Sequence, residues 1–99
     1  MLKIAEYYKG KKVLVRSYRA GVYFGTLEDM DGDNVRLSNV RNIWHWEGAS
    51  CLSQIANDGI KGDKVSPVVS SMVITDVNQV IPLTNKAIEN LESQPVWIY

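Results

Sequence analysis

Val22-Tyr23-Phe24-Gly25-Thr26-Leu27-Glu28-Asp29-Met30, then Asp31-Gly32-Asp33-Asn34, then Val35-Arg36-Leu37-Ser38-Asn39-Val40, spell a strand, a turn and a strand in direct succession. β-branched and aromatic side chains fill the flanks, where a pleated surface accommodates them. The aspartate–glycine–asparagine cluster between them is a hairpin turn. Alternation puts Val22, Phe24 and Thr26 on one face and Tyr23, Gly25 and Leu27 on the other. Gly25 has no side chain to pack, so it marks a bulge or a close approach of backbone or ligand.

Working outward, residues 11–18 read as a preceding strand, with Val13 and Val15 on one side and Leu14 and Arg16 on the other. Arg19-Ala20-Gly21 is the turn between the two strands. Residues 41–46 give a further short strand beyond a bend at Asn39. Gly48-Ala49-Ser50 opens a short helix with Ala49, Leu52, Ile55 and Ala56 on one face and Gly59 at its C-terminal cap. Lys61-Gly62-Asp63-Lys64 is a loop that closes at Ser66-Pro67. Residues 68–81 read as two pairing strands broken near Asp76-Val77-Asn78, and Pro82 stops the run. Thr84 caps a second short helix that buries Ala87, Ile88 and Leu91. The apolar tail Pro95-Val96-Trp97-Ile98-Tyr99 packs on the body or on a partner chain. The first ten residues form an arm or one helical turn, with Leu2, Ala5 and Tyr8 suitably spaced. The expected fold is mainly β (β-rich α+β): a small barrel-like or strongly curved antiparallel sheet with two short helices, in one domain over residues 1–99.

Bulk properties narrow the function classes. Eleven basic residues balance eleven acidic ones, which argues against broad nucleic-acid binding through a basic face. Cys51 is the single cysteine, so no intrachain disulfide forms and a reducing compartment is expected. The first eight residues are too short and polar for a secretory leader, and no apolar run approaches the ~20 residues that span a bilayer. These features predict a cytoplasmic protein with no membrane partner.

Three of the four arginines and two of the three tryptophans fall in two segments, residues 16–27 and 39–49. Guanidinium forks and flat rings suit a small molecule that carries phosphates and a base. Arg16, Arg19 and Arg41 are the candidates for phosphate. Trp44, Trp46 and Phe24 are the candidates for stacking, although each ring also suits a small core. With Trp44 and Trp46 on one strand, both indoles face the same way, roughly 7 Å apart. Tyr18 offers a hydroxyl to ribose or phosphate, and the Asn78 amide can read an adenine edge. Arg16 sits mid-strand among apolar residues and therefore calls for a partner, either a carboxylate such as Glu28 or Asp29 or a ligand phosphate. Catalysis has little to work with. His45 is the only histidine, no cluster has metal-ligand spacing, and the Asp31–Asn34 turn lacks the later glutamate of a calcium loop. No metal or cofactor is expected.

Several motifs in order resemble a known family. They are Val15-Arg16-Ser17-Tyr18-Arg19-Ala20-Gly21-Val22-Tyr23-Phe24-Gly25-Thr26-Leu27, Arg41-Asn42-Ile43-Trp44-His45-Trp46-Glu47-Gly48-Ala49, Leu52-Ser53-Gln54-Ile55-Ala56 with Gly59, and Pro95-Val96-Trp97. Together they span residues 11–98 and resemble the phage-encoded Thoeris anti-defence proteins of the cyclic ADP-ribose sponge type, the first anti-Thoeris family. The chain departs from that pattern at His45, where the family is commonly aromatic, and matches it least over residues 61–71. The resemblance implies a non-enzymatic sponge in the host cell cytoplasm. It binds a glycocyclic ADP-ribose signal, a cyclic ADP-ribose-type nucleotide, and keeps it from the effector without degrading it. It also implies a homo-oligomer, a dimer or a trimer of dimers, with pockets at chain interfaces and cyclic di- or trinucleotides of the CBASS system as a second ligand class. Three other readings stay open: an enzyme that cleaves the same signal, a small-barrel module for single-stranded nucleic acid, and a purely structural phage protein in which Trp97 and the tail serve assembly.

Overall fold

The computed structural model describes residues 4–49, 51–61 and 64–97, the side chain of Lys64 excepted. The expectations for Leu2, Ser50, Gly62-Asp63 and Ile98-Tyr99 fall outside these residues. In chain order the elements are α1 (Ile4–Tyr8), β1 (Lys12–Ser17), β2 (Gly21–Asp31), β3 (Asn34–His45), α2 (Leu52–Asp58), β4 (Lys64–Val65), β5 (Val69–Ile74), β6 (Val77–Pro82) and α3 (Asn85–Glu92). The fold is mainly β: a strongly curved antiparallel sheet with short helices. The five-residue α1 is the helical turn, one of the two readings of the first ten residues, and makes a third helix, and β4 lies partly in the segment read as a loop.

The hairpin of β2 and β3 is the spine. Its pairs run from Val22 opposite Ile43 to Asp31 opposite Asn34, with register shifts between Phe24 and Thr26 and between Leu27 and Asp29. Gly25 sits in the first shift. A Cβ placed there would lie 2.9 Å from the Ser38 carbonyl oxygen, so the two backbones approach as only glycine permits. Asn39 opposite it takes a left-handed φ of 50°, which produces the bend expected there. The chain does not break at that bend. Residues 35–40 and 41–46, read as two strands, form the single strand β3, which ends at His45. Bulges of this kind increase local twist and coil the hairpin.

β1 lies against β2, and β6 lies on the other edge of β1. β5 pairs with the first half of β3, on the edge that β2 leaves free, while β4 pairs with the end of β3 at Ile43 and His45. Since β1 and β3 are both antiparallel to β2, β5 and β6 run in one direction and form a single extended run kinked at Thr75-Asp76. Its first half bonds to β3 and its second half to β1, which bends the sheet back on itself. Asp76 takes a φ of 53° at the kink. The main chain there is tied to both hairpin turns: Tyr18 N donates to Asp76 O (3.0 Å) and Val77 N donates to Asp33 O (3.0 Å). Buried Ser17 adds its Oγ, which donates to Thr75 O at 2.6 Å.

Both faces of the sheet are covered over the middle of β1, where Val13, Leu14 and Val15 are buried in succession. Val13, Val15, Leu27, Val35, Leu37, Val40 and Ile74 fill the inside of the curl. Leu14, Val22, Phe24 and Ile43 pack on the other face against Ile55 and Ala56 of α2 and Leu91 of α3. Thr84 caps α3: its Oγ1 accepts from Ala87 N at 3.1 Å and donates to Asn57 O at 2.6 Å, which joins the start of α3 to the end of α2. Gly59 closes α2 with φ 82°, its amide donating to Ile55 O.

Candidate functional site

Arg41 leaves β3 on the helix-covered face, directly opposite Phe24, and is only 4% exposed. Its Nε donates to Ser66 O at 2.8 Å. Nη1 reaches Leu91 O (3.3 Å) and Glu92 O (3.4 Å), and Nη2 reaches Pro95 O (3.4 Å). These are one short bond and three long ones, all to main-chain carbonyls. Three of the carbonyls belong to the end of α3 and the turn after it, where a helix presents its negative pole and its unsatisfied acceptors. Burial pushes the Arg41 guanidinium below its ordinary value, since removal from water disfavours the charged form. The side chain therefore ties α3 and the tail to the sheet.

Arg41 and Phe24 also line a cleft of about 280 Å³ between the sheet and α3, together with Gly25, Asn39, Val68 and Ile88. An ion pair between Lys12 and Glu92 stands at the same cleft. Two of the eight residues singled out from sequence thus meet here.

Three others meet elsewhere. Tyr18 and Arg19 on the first turn, and Asn78 just past the kink, line one shallow depression of about 240 Å³ with Asp33, Asp76 and Val77. The backbone bonds between the kink and the two hairpin turns hold these segments together. Arg19 Nε lies 3.4 Å from Asp76 Oδ2, with both side chains well exposed. A pair so wetted is worth about 0–1 kcal/mol, and a phosphate can displace its carboxylate. Tyr18 is 81% exposed. Arg16 shares the face of Leu14 but lies beyond the cover of the helices and is exposed, so it carries no burial cost and needs no carboxylate. The expectation that burial forces a partner on it does not hold.

The two indoles of the Trp44-His45-Trp46 segment part company. β3 ends at His45, so Trp46 leaves the strand alternation and packs against the helix-side core. Trp44 is 69% exposed and meets Trp97, with ring centroids 5.4 Å apart and an interplanar angle of 31°. The pairing of β3 with β4 shifts register between Ile43 and His45, the two residues that flank Trp44. At this end of the sheet β1 pairs with β2 through Ser17 and Gly21, and β2 with β3 through Val22 and Ile43. Arg16, the Tyr18–Arg19 turn and Trp44 therefore crown the same end of the sheet.

Residues 10–91 match a domain of unknown function (DUF6948). The chain belongs to that family. No curated protein and no solved structure matches it. The DUF6948 segment holds all eight residues singled out from sequence, and it ends at Leu91, whose carbonyl receives Arg41. Trp97 lies beyond the segment.

Sequence reasoning missed Asp33 and Asp76 as walls of the depression, Lys12 and Glu92 at the cleft, and Trp97 as the ring partner of Trp44. Turns and kinks carry aspartate for their own reasons, so nothing local marks Asp33 of a hairpin turn and Asp76 of the kink as neighbours. The apolar tail pointed to Trp97 without naming its place. Among the described residues no group of three or more histidine, cysteine, aspartate or glutamate side chains is placed to hold a metal ion. No helix among them is long and apolar enough to cross a membrane.

Proposed function

We propose that this DUF6948 chain is a phage anti-defence sponge. It binds and sequesters a glycocyclic ADP-ribose signal of the Thoeris system without degrading it, as a homo-oligomer in the cytoplasm of the host cell. Cyclic di- or trinucleotides of CBASS are a second ligand class. The observation that carries the reading is the convergence of Tyr18, Arg19 and Asn78 in one depression, although 60 residues separate the first from the last. Their chemistry suits a ribose hydroxyl, a phosphate and a base edge in turn. The exposed guanidinium of Arg16 and the exposed indole of Trp44 at the same end of the sheet support it further.

The size of the concavities supports the oligomer. Neither the cleft of about 280 Å³ nor the depression of about 240 Å³ reaches the ~300–1,000 Å³ usual for small-molecule pockets. A second copy laid over this end of the sheet completes the enclosure and excludes water. Sequestration also sets a scale: holding a signal at nanomolar strength takes about −12 kcal/mol, which two or three charge-assisted hydrogen bonds at about 1.5–3 kcal/mol each cover only in part. Preorganisation by a shared pocket supplies the remainder.

Incubation with cyclic ADP-ribose and its glycocyclic isomers, heat denaturation and chromatography of the supernatant tests the reading. Intact ligand returned in stoichiometric amount is the expected result. Cleaved product in excess of protein makes the chain an enzyme, and the sponge assignment fails.

A further inference from the structure

Trp44 is 69% exposed, and a second tryptophan, Trp97, lies beside it with ring centroids 5.4 Å apart. The route by which Trp97 arrives is specific. Arg41 bonds to the carbonyl of Pro95. Val96 then forms a parallel bridge with Val65 of β4, and Trp97 N donates to Val65 O at 2.9 Å. Val65 lies opposite Ile43, the residue before Trp44. The tail is thus laid down as one more strand-like edge, in the register that brings its indole to Trp44. Trp97 lies against Trp44, which remains 69% exposed beside it.

We infer that Trp44, braced by Trp97, is a stacking surface for a planar heteroaromatic ring, the purine base of a nucleotide. The exposed guanidiniums of Arg16 and Arg19 at the same end of the sheet favour a ring that carries phosphate over an uncharged one. Trp97 acts through Trp44 and is a positioning residue: it holds the ring in one orientation before ligand arrives, so less rotamer freedom is lost on binding. The inference rests on the nucleotide reading for the identity of the ring, and it adds a residue outside the DUF6948 segment to that site.

Calorimetry and tryptophan fluorescence with AMP, cyclic ADP-ribose and ribose 5-phosphate test this, alongside the Trp–Trp exciton couplet in circular dichroism. AMP and cyclic ADP-ribose are expected to quench indole emission and perturb the couplet, whereas ribose 5-phosphate does neither. Trp97→Ala removes the couplet and weakens both base-bearing probes about tenfold, with ribose 5-phosphate unchanged. Trp97→Phe restores most of the affinity, and Trp44→Ala loses it with the thermal transition intact. Base-bearing probes that bind Trp97→Ala as tightly as the parent overturn the platform while the nucleotide reading stands. Failure of all base-bearing probes to bind the folded parent protein overturns both.

Discussion

Arg41 reaches fifty residues along the chain to the carbonyl of Leu91, 3.3 Å from its Nη1, and so joins the middle of the sheet to the last turn of the last helix. A buried guanidinium in that place belongs to the frame of the molecule. Arg41→Met removes the guanidinium's bonds to the carbonyls of Ser66, Leu91, Glu92 and Pro95, of which Leu91 O keeps Gln94 N, and a loss of about 2–4 kcal/mol is expected. For a domain of this size that is a fall in Tm of about 15 °C, measurable by calorimetry. Arg41→Lys recovers only part, because one ammonium cannot serve both sides of the fork.

Arg16 gives the opposite result. Its side chain is exposed on β1, so Arg16→Ala shifts stability by less than about 0.5 kcal/mol. Under the proposed function it weakens cyclic ADP-ribose binding about tenfold or more, roughly the worth of one charge-assisted contact. Paired titrations and melts of Arg16→Ala and Arg41→Met therefore separate loss of ligand from loss of fold. An unchanged affinity in Arg16→Ala removes that residue from the site.

Gly59 presses on Asn90. A Cβ at position 59 would lie 2.2 Å from Asn90 Oδ1, the atom that accepts from Ile60 N at 2.8 Å. The left-handed φ adds backbone strain for any other residue. Gly59→Ala is expected to cost about 1–3 kcal/mol, read from a shift of the urea midpoint at constant slope.

β5 bonds to β3 along one of its edges. Its sequence Val-Ser-Ser-Met-Val-Ile has neither charge nor proline, and Val73 is 62% exposed. Edges of this kind recruit other strands unless something covers them. Val73→Lys is expected to lower self-association in analytical ultracentrifugation with little effect on Tm. An unchanged sedimentation profile shows that this edge takes no part in assembly.

Local chemistry made much of the frame legible. The Asp31–Asn34 turn, the Thr84 cap, the Gly59 terminus, the bend at Asn39 and the break at Asp76 are each signalled within a few residues, and each stands where the sequence places it. Alternation along residues 12–17 was legible as well, but it did not disclose that both faces are covered. What failed were statements that depend on where an element stops or what lies over it. Trp46 shares no face with Trp44 because β3 ends one residue too early, and Arg16 is exposed because the helices do not reach it. The grouping of Tyr18 and Arg19 with Asn78, and the bonds from Arg41 to Leu91 and Pro95, are long-range consequences of the curl. No spacing in the chain encodes them.

The kinked run of residues 69–82 has a mechanical consequence. One unbroken length of backbone grips β3 with its first half and β1 with its second, which couples the loosening of one half of the domain to the hydrogen bonds of the other. Hydrogen exchange should reveal a single cooperative unit, with the amides of β1 and β3 sharing one opening free energy in place of two. Under the proposed function that coupling serves retention, because a body that does not breathe in parts does not release its cargo in parts.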